Sequence, residues 1–154
     1  MRPRDRDDVK VGAGADFGLE HGLVGIGDAL PSAPRGLDEA VRLAGDLHGD
    51  KAARMLERFA ALPDGTFVWT LAPDGTFRLG RLAGPWHYDD GPRAREVGIH
   101  HVRRTTWIDR PFGEGEVPAE VEATFGRGGR NLQRIHGPRV DDRTAAMWEA
   151  ERDG

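Results

Sequence analysis

Between Thr66 and Leu82 two runs rich in β-formers, Thr66-Phe67-Val68-Trp69-Thr70-Leu71 and Thr76-Phe77-Arg78-Leu79-Gly80-Arg81-Leu82, flank the tripeptide Pro73-Asp74-Gly75. Proline presets the entry to a turn, aspartate bonds back to the backbone two residues on, and glycine takes the left-handed φ that other residues avoid. An antiparallel hairpin is therefore predicted here. A two-stranded ribbon is barely stable alone in water, so the rest of the chain has to add strands to it and cover its apolar faces.

The flanking sequence supplies both. Gly22-Leu23-Val24-Gly25-Ile26-Gly27 is a short apolar run between glycines, the pattern of a buried strand approached closely by other backbone. Pro31-Ser32-Ala33-Pro34 forces a loop. Leu37, Ala40, Val41, Ala44 and Leu47, then Ala52, Met55, Leu56 and Phe59, recur at three- and four-residue steps. They predict two helices within 37–62, broken near His48-Gly49-Asp50, with Asp50 capping the second. A strand is predicted over Gly98 to Ile108, a short helix over Glu116 to Phe125 with Pro118 in its first turn, and a last strand around Leu132 to Ile135.

Residues 1–15 are charged and then glycine-rich, with no apolar period. They are expected to form a disordered arm in which Gly12-Ala13-Gly14 opens no helix. Residues 141–154 are expected to be a tail or short helix. The body, 16–140, then reads as one α+β domain without βαβ alternation, a small curled antiparallel barrel flanked by helices.

Several chemistries are excluded by what is missing. The chain has no cysteine, which removes disulfides, thiolate metal sites and a cysteine nucleophile. Its histidines show no metal spacing, since adjacent His100 and His101 would point to opposite faces of a strand. No phosphate-binding loop, nucleophile elbow or nuclease-type Glu-x-Lys is present, so no catalysis and no cofactor are expected. With no apolar run long enough to span a bilayer and no secretory leader, a cytoplasmic protein is expected.

Net charge, −4, taken alone disfavours nucleic acid, but the charge is unevenly spread. Residues 76–139 hold 11 Lys/Arg against 8 Asp/Glu, whereas residues 1–75 hold 9 against 13 and 140–154 hold 2 against 5. The central segment is thus the basic one, and its arginines offer planar forks suited to phosphate.

Four strings within that frame carry a family resemblance: Phe17-Gly18-Leu19-Glu20-His21-Gly22-Leu23-Val24-Gly25-Ile26-Gly27, Val68-Trp69-Thr70, Leu79-Gly80-Arg81-Leu82-Ala83-Gly84-Pro85-Trp86-His87-Tyr88, and Val102-Arg103-Arg104-Thr105-Thr106-Trp107-Ile108. In this order, over 17–136, they resemble the PUA-like domains related to the EVE and YTH families. The similarity is greatest to those at the front of modification-dependent restriction enzymes and in stand-alone actinobacterial 5-methylcytosine-binding proteins. The resemblance implies a barrel that accepts an extruded, often modified, base. Where many relatives carry tryptophan after the Gly-Ile-Gly strand this chain has Asp28, which leaves the stacking wall on that side without its usual residue.

A base-accepting pocket needs rings to return the energy of unstacking. Trp69, Trp86, Tyr88 and Trp107 lie inside the resembling strings and are the candidates, with burial in the core as the alternative use of each. A carboxylate accepts from cytosine N4, so Asp28 is the candidate reader of that base; its alternative is a turn cap before Ala29-Leu30-Pro31. Arg81, Arg93, Arg95, Arg103, Arg104, Arg127 and Arg130 are candidates for the nucleic-acid backbone, against salt bridges to neighbours such as Glu96, Glu120 and Glu122. The expected partner is duplex DNA with modified cytosine. An RNA-binding module, or a regulatory domain using its acidic helical half to bind protein, are the alternatives.

Overall fold

The structure, a computed structural model, describes residues 13–27, 29–126 and 138–153. In chain order the elements are α1 (Ala13–His21), β1 (Leu23–Ile26), α2 (Leu37–His48), α3 (Asp50–Ala61), β2 (Phe67–Leu71), β3 (Phe77–Tyr88), α4 (Pro92–Val97), β4 (His101–Trp107), α5 (Ala119–Gly126) and α6 (Pro138–Asp153). The strands form one antiparallel sheet in the order β1-β4-β3-β2.

The predicted hairpin is its centre of construction. Asp74 Oδ1 accepts from the Thr76 N–H at 2.9 Å and from its hydroxyl at 2.6 Å, and Gly75 takes φ 86°. Those bonds hold the Asp74 carboxyl below its ordinary value, the Thr76 hydroxyl contributing most. Farther along β3 the ladder is irregular: Leu82 pairs with Thr105 and Trp86 with Arg103, so Ala83, Gly84 and Pro85 lie opposite Arg104 alone. Proline has no N–H to give, and the irregularity falls where the ladder could not continue.

Register assigns the two faces. Val24, Ile26, Val68, Leu82, Trp86 and Arg103 share the side on which α2 and α3 pack, through Ala40, Ala44, Leu56 and Phe59. Trp69, Phe77 and Leu79 face the other way, against Phe112, Val121, Phe125 and Trp148. At the opposite end of that second face Phe17 of α1 and Ala94 and Val97 of α4 cover Ile99 and Val102. Helices therefore stand on both sides of the sheet, and each fully buried apolar side chain of this size contributes about 1.5–3 kcal/mol.

Arg103 ties α3 to the sheet. Its side chain is 2% exposed, and its Nε donates to the Gly84 carbonyl at 2.8 Å. Nη1 donates to the carbonyls of Phe59 (3.0 Å) and Leu62 (2.6 Å), while Nη2 reaches Asp64 at 2.9 Å. The last carbonyls of a helix have no partner within it, and a cation there also meets the negative end of the helix dipole. This arginine, expected among the backbone contacts, is enclosed and wholly engaged inside the fold.

Other expectations change in detail. The sheet is open: among the described residues β1 and β2 are its edges, so the antiparallel sheet is present but its closure into a barrel is not. The strand expected at Leu132 to Ile135 lies outside the described residues, as do 1–12 of the expected arm. Residues 13–15, placed in that arm, instead open α1, because Ala15 and Phe17 are buried. The C-terminal segment is a 16-residue helix that turns Val140, Thr144 and Trp148 inward at four-residue steps. Asp50 is the first residue of α3 rather than its cap; Gly49, at φ 97°, occupies that position without a side-chain bond. The helix predicted over Glu116 to Phe125 begins at Ala119, with Pro118 just before it accepting from the Val121 N–H.

Candidate functional site

The register Ile26–His101–Tyr88 brings the end of β1, the end of β3 and the start of β4 together at one end of the sheet. The connections leaving those ends border an open cavity of about 360 Å³ lined by Leu30, Pro31, Tyr88, Asp90, Arg95 and His100, with Ala29 beside them. That volume lies at the small end of the roughly 300–1,000 Å³ range of ligand pockets.

Its walls are fixed by hydrogen bonds. The Tyr88 hydroxyl accepts from the Leu30 N–H at 3.0 Å, and the His48 Nε2–H of α2 donates to the Ala29 carbonyl at 2.9 Å. The loop is thereby held from the sheet and from the helix. Tyr88 stacks on His100 with centroids 5.4 Å apart and planes 13° from parallel, and meets His101 edge-on at the same distance. Trp86 stacks on His101 at 6.0 Å and donates its indole N–H to His101 Nδ1 at 3.1 Å. Burial, followed by the Asp90 carboxylate, pushes the Tyr88 phenol above its ordinary value against the opposing effects of the Leu30 bond and Arg95, so the ring stays neutral at physiological pH. At the rim Arg95 pairs with Asp90 at 3.0 Å.

Of the candidate rings, Tyr88 walls the cavity and Trp86 lies one layer behind it, half-buried against His101. Trp69 is elsewhere: 1% exposed, on the opposite face, edge-on to Phe112. Trp107 is half-buried and shares its N–H between the carbonyls of Gly18 and Leu23. It borders a separate cavity of about 630 Å³ between the end of β4 and α6. Asp28 lies outside the described residues.

The arginines divide in the same way. Arg95 is at the first cavity; Arg81 is at the second, with Nε bonded to the Gly65 carbonyl and its guanidinium over the Phe67 and Trp148 rings. Arg93 pairs with Glu96 at 3.1 Å, Arg103 is enclosed, and Arg104 is exposed on the face opposite Arg103. Arg127 and Arg130 lie outside the described residues.

Four wall residues, Leu30, Pro31, Asp90 and His100, were not among the candidates for the site. Leu30 carries no local signal. His100 lies just before β4, so the strand alternation expected to turn it away from His101 does not apply there, and both imidazoles meet Tyr88, one parallel and one edge-on. Helix α4, which delivers Arg95, was also legible as Pro92 at the start and Gly98 in the left-handed conformation at the end.

Among the described residues no group of three or more His, Asp or Glu side chains is arranged to hold a metal ion, and no helix is long and apolar enough to cross a membrane. No protein family, curated protein or solved structure matches the chain.

Proposed function

We propose that this protein is a non-enzymatic DNA-binding domain of the PUA-like kind that reads 5-methylcytosine by taking the extruded base into the Tyr88–His100 cavity. The fold reading that accompanies it is a sheet curled toward a barrel. The observation carrying the proposal is a ring wall beside a ligand-sized hollow: two stacked rings, 5.4 Å apart, bordering about 360 Å³.

The energetics suit such a role. Extruding a base costs a few kcal/mol, and one base stacked on an aromatic returns about 1–3 kcal/mol. Leu30 and Pro31 offer apolar contact to a methyl group, whose burial adds about 0.8 kcal/mol. Selectivity for the methylated base is accordingly modest, tens of fold at most. Arg95 at the rim and exposed Arg104 are the described arginines assigned to the flanking backbone, and Asp28 precedes Ala29 of the cavity loop in the chain.

The test is gel-shift affinity for one duplex in three forms: unmodified, methylated at cytosine C5, and methylated at adenine N6. The expected order places the 5-methylcytosine duplex first, with Tyr88→Ala abolishing the preference. Equal affinity for all three forms refutes cytosine reading. Displacement by single-stranded RNA at lower concentration than duplex DNA moves the assignment to an RNA-binding module, and no binding of either at low salt moves it to a protein-interaction domain.

A further inference from the structure

Within the cavity the polar groups are mostly spoken for. The Tyr88 hydroxyl serves Leu30, and the Asp90 carboxylate is taken by Arg95. His100 differs. Its Nδ1 lies 2.9 Å from the Asp89 carbonyl oxygen, which can only accept, so Nδ1 carries the proton. The neutral ring then presents a bare lone pair at Nε2, and among the described residues no hydrogen bond reaches that atom. The side chain walls the cavity although the residue is only 4% exposed.

The ring is also held in place. The His100 N–H donates to the Ile26 carbonyl at 3.2 Å, its carbonyl accepts from the Asp89 N–H at 2.7 Å, and its face lies against Tyr88. Turning the imidazole over would break the Asp89 bond. A ligand that reaches Nε2 therefore meets a preorganised acceptor, with Leu30 and Pro31 lining the same cavity.

We infer that His100 is the residue that separates an amino-bearing from an oxo-bearing pyrimidine, its Nε2 accepting a hydrogen bond from the exocyclic amino group of cytosine. The inference rests on the base-uptake reading above and adds to it the atom that makes the choice. An amino group satisfies the lone pair; a carbonyl at the same position faces it lone pair to lone pair, and neither can donate to the other. A site built to bond a donor rejects ligands that lack it far more strongly than a hydrophobic pocket rejects a missing methyl group.

5-Methylcytosine and thymine isolate this contact, because both carry the 5-methyl group and they differ at position 4. Each is placed singly in the same duplex opposite an abasic site, so that neither has a pairing partner to lose. Wild-type protein is expected to bind the 5-methylcytosine duplex about tenfold or more tightly than the thymine duplex. His100→Phe keeps a ring against Tyr88 but has no lone pair, and its ratio should fall toward one; His100→Gln, which restores an acceptor, should recover part of it. His100→Phe retaining the wild-type ratio overturns the inference, as does wild-type protein binding both duplexes equally, and in those two cases base uptake itself still stands. Binding of neither duplex refutes base uptake and the role of His100 with it. Should His100→Phe lose its folded circular dichroism, the wild-type protein is measured with 5-methylpyrimidin-2-one, which lacks the exocyclic group. A tenfold loss supports the inference, and affinity equal to that for 5-methylcytosine overturns it.

Discussion

Replacing Arg103 by alanine should destabilise the protein by about 3–5 kcal/mol. The guanidinium makes three bonds to main-chain carbonyls, at Gly84, Phe59 and Leu62, and one to Asp64. A hydrogen bond to a charged group contributes about 1.5–3 kcal/mol, and a buried polar atom left without its partner costs about 1–3 kcal/mol. Simple addition would overshoot, since the end of α3 lies near the surface and water reaches some of what is exposed. The Asp64 bond adds little, because that carboxylate is 66% exposed and rehydrates when its partner leaves. Urea unfolding followed by circular dichroism and extrapolated to water measures the change. A loss of 3–5 kcal/mol corresponds to roughly 6–20 °C in Tm for a chain of this length. Arg103→Lys, which keeps the charge but not the fork, should fall between wild type and alanine, and Asp64→Ala should cost under about 1 kcal/mol. An alanine variant within about 1 kcal/mol of wild type, or an Asp64→Ala loss as large as that of Arg103→Ala, would refute the assignment of Arg103 to the clasp between α3 and the sheet.

Tyr88 is the chain's one tyrosine, so phenolate absorbance reports it alone. Its midpoint should lie above 10 in the folded protein and return to about 10 in urea. Because the folded value is the raised one, the associated stability is fully present below pH 10 and is lost as pH climbs through the folded midpoint. Glu116 works in the opposite sense: the Gly113 N–H first, then Arg110, hold its carboxyl below the ordinary 4.5. Its contribution is therefore present above that pH and lost as pH falls, and Glu116→Gln should flatten the acid limb of a stability profile. Trp69→Ala should cost about 3–5 kcal/mol of stability while leaving the affinity of the folded fraction for methylated DNA unchanged in gel shifts. Asp28→Asn should weaken binding and blur base preference in the same assay; full retention of both would remove Asp28 from the site.

Local chemistry made the hairpin, the paired helices, β1 and β4 legible, since turn residues and apolar period specify each within a few residues of chain. The errors arose where distant packing decides. Ala13–Ala15 look like part of an arm until Phe17 is seen against Val97 and Ile99. The last helix looks too polar to matter because its inward stripe is only Val140, Thr144 and Trp148. For the site, a tryptophan in a strand carries no mark of which face will be open. Trp69 and Trp86 sit in similar strings, yet one is sealed beneath Phe112 and the other backs the cavity.

Parity along a strand also changes what the basic central segment can mean. Arg103 and Arg104 are neighbours in sequence and opposites in the fold, one enclosed and one exposed. Arg78 is bonded to the carbonyls of Ile108 and Asp109, Arg81 to Gly65, and Arg93, Arg95 and Arg110 are in ion pairs. Among the arginines of 76–126, Arg104 alone has neither a hydrogen bond nor an ion pair to another described residue. Each phosphate contact adds about 0.9 to the slope of log affinity against log salt. With Arg95 and Arg104 as the described backbone contacts, the slope drawn from these residues is about two, not the six or more of a protein held by its charges. On the proposed reading, DNA binding by such a chain, at net −4, has to come mainly from what the cavity holds. Under that proposal weak non-specific attraction works in its favour, because unmodified DNA would compete poorly and a modest preference for one base would still select its sites. A steep salt dependence in Arg104→Ala protein would contradict this ordering and return the weight to contacts outside 76–126.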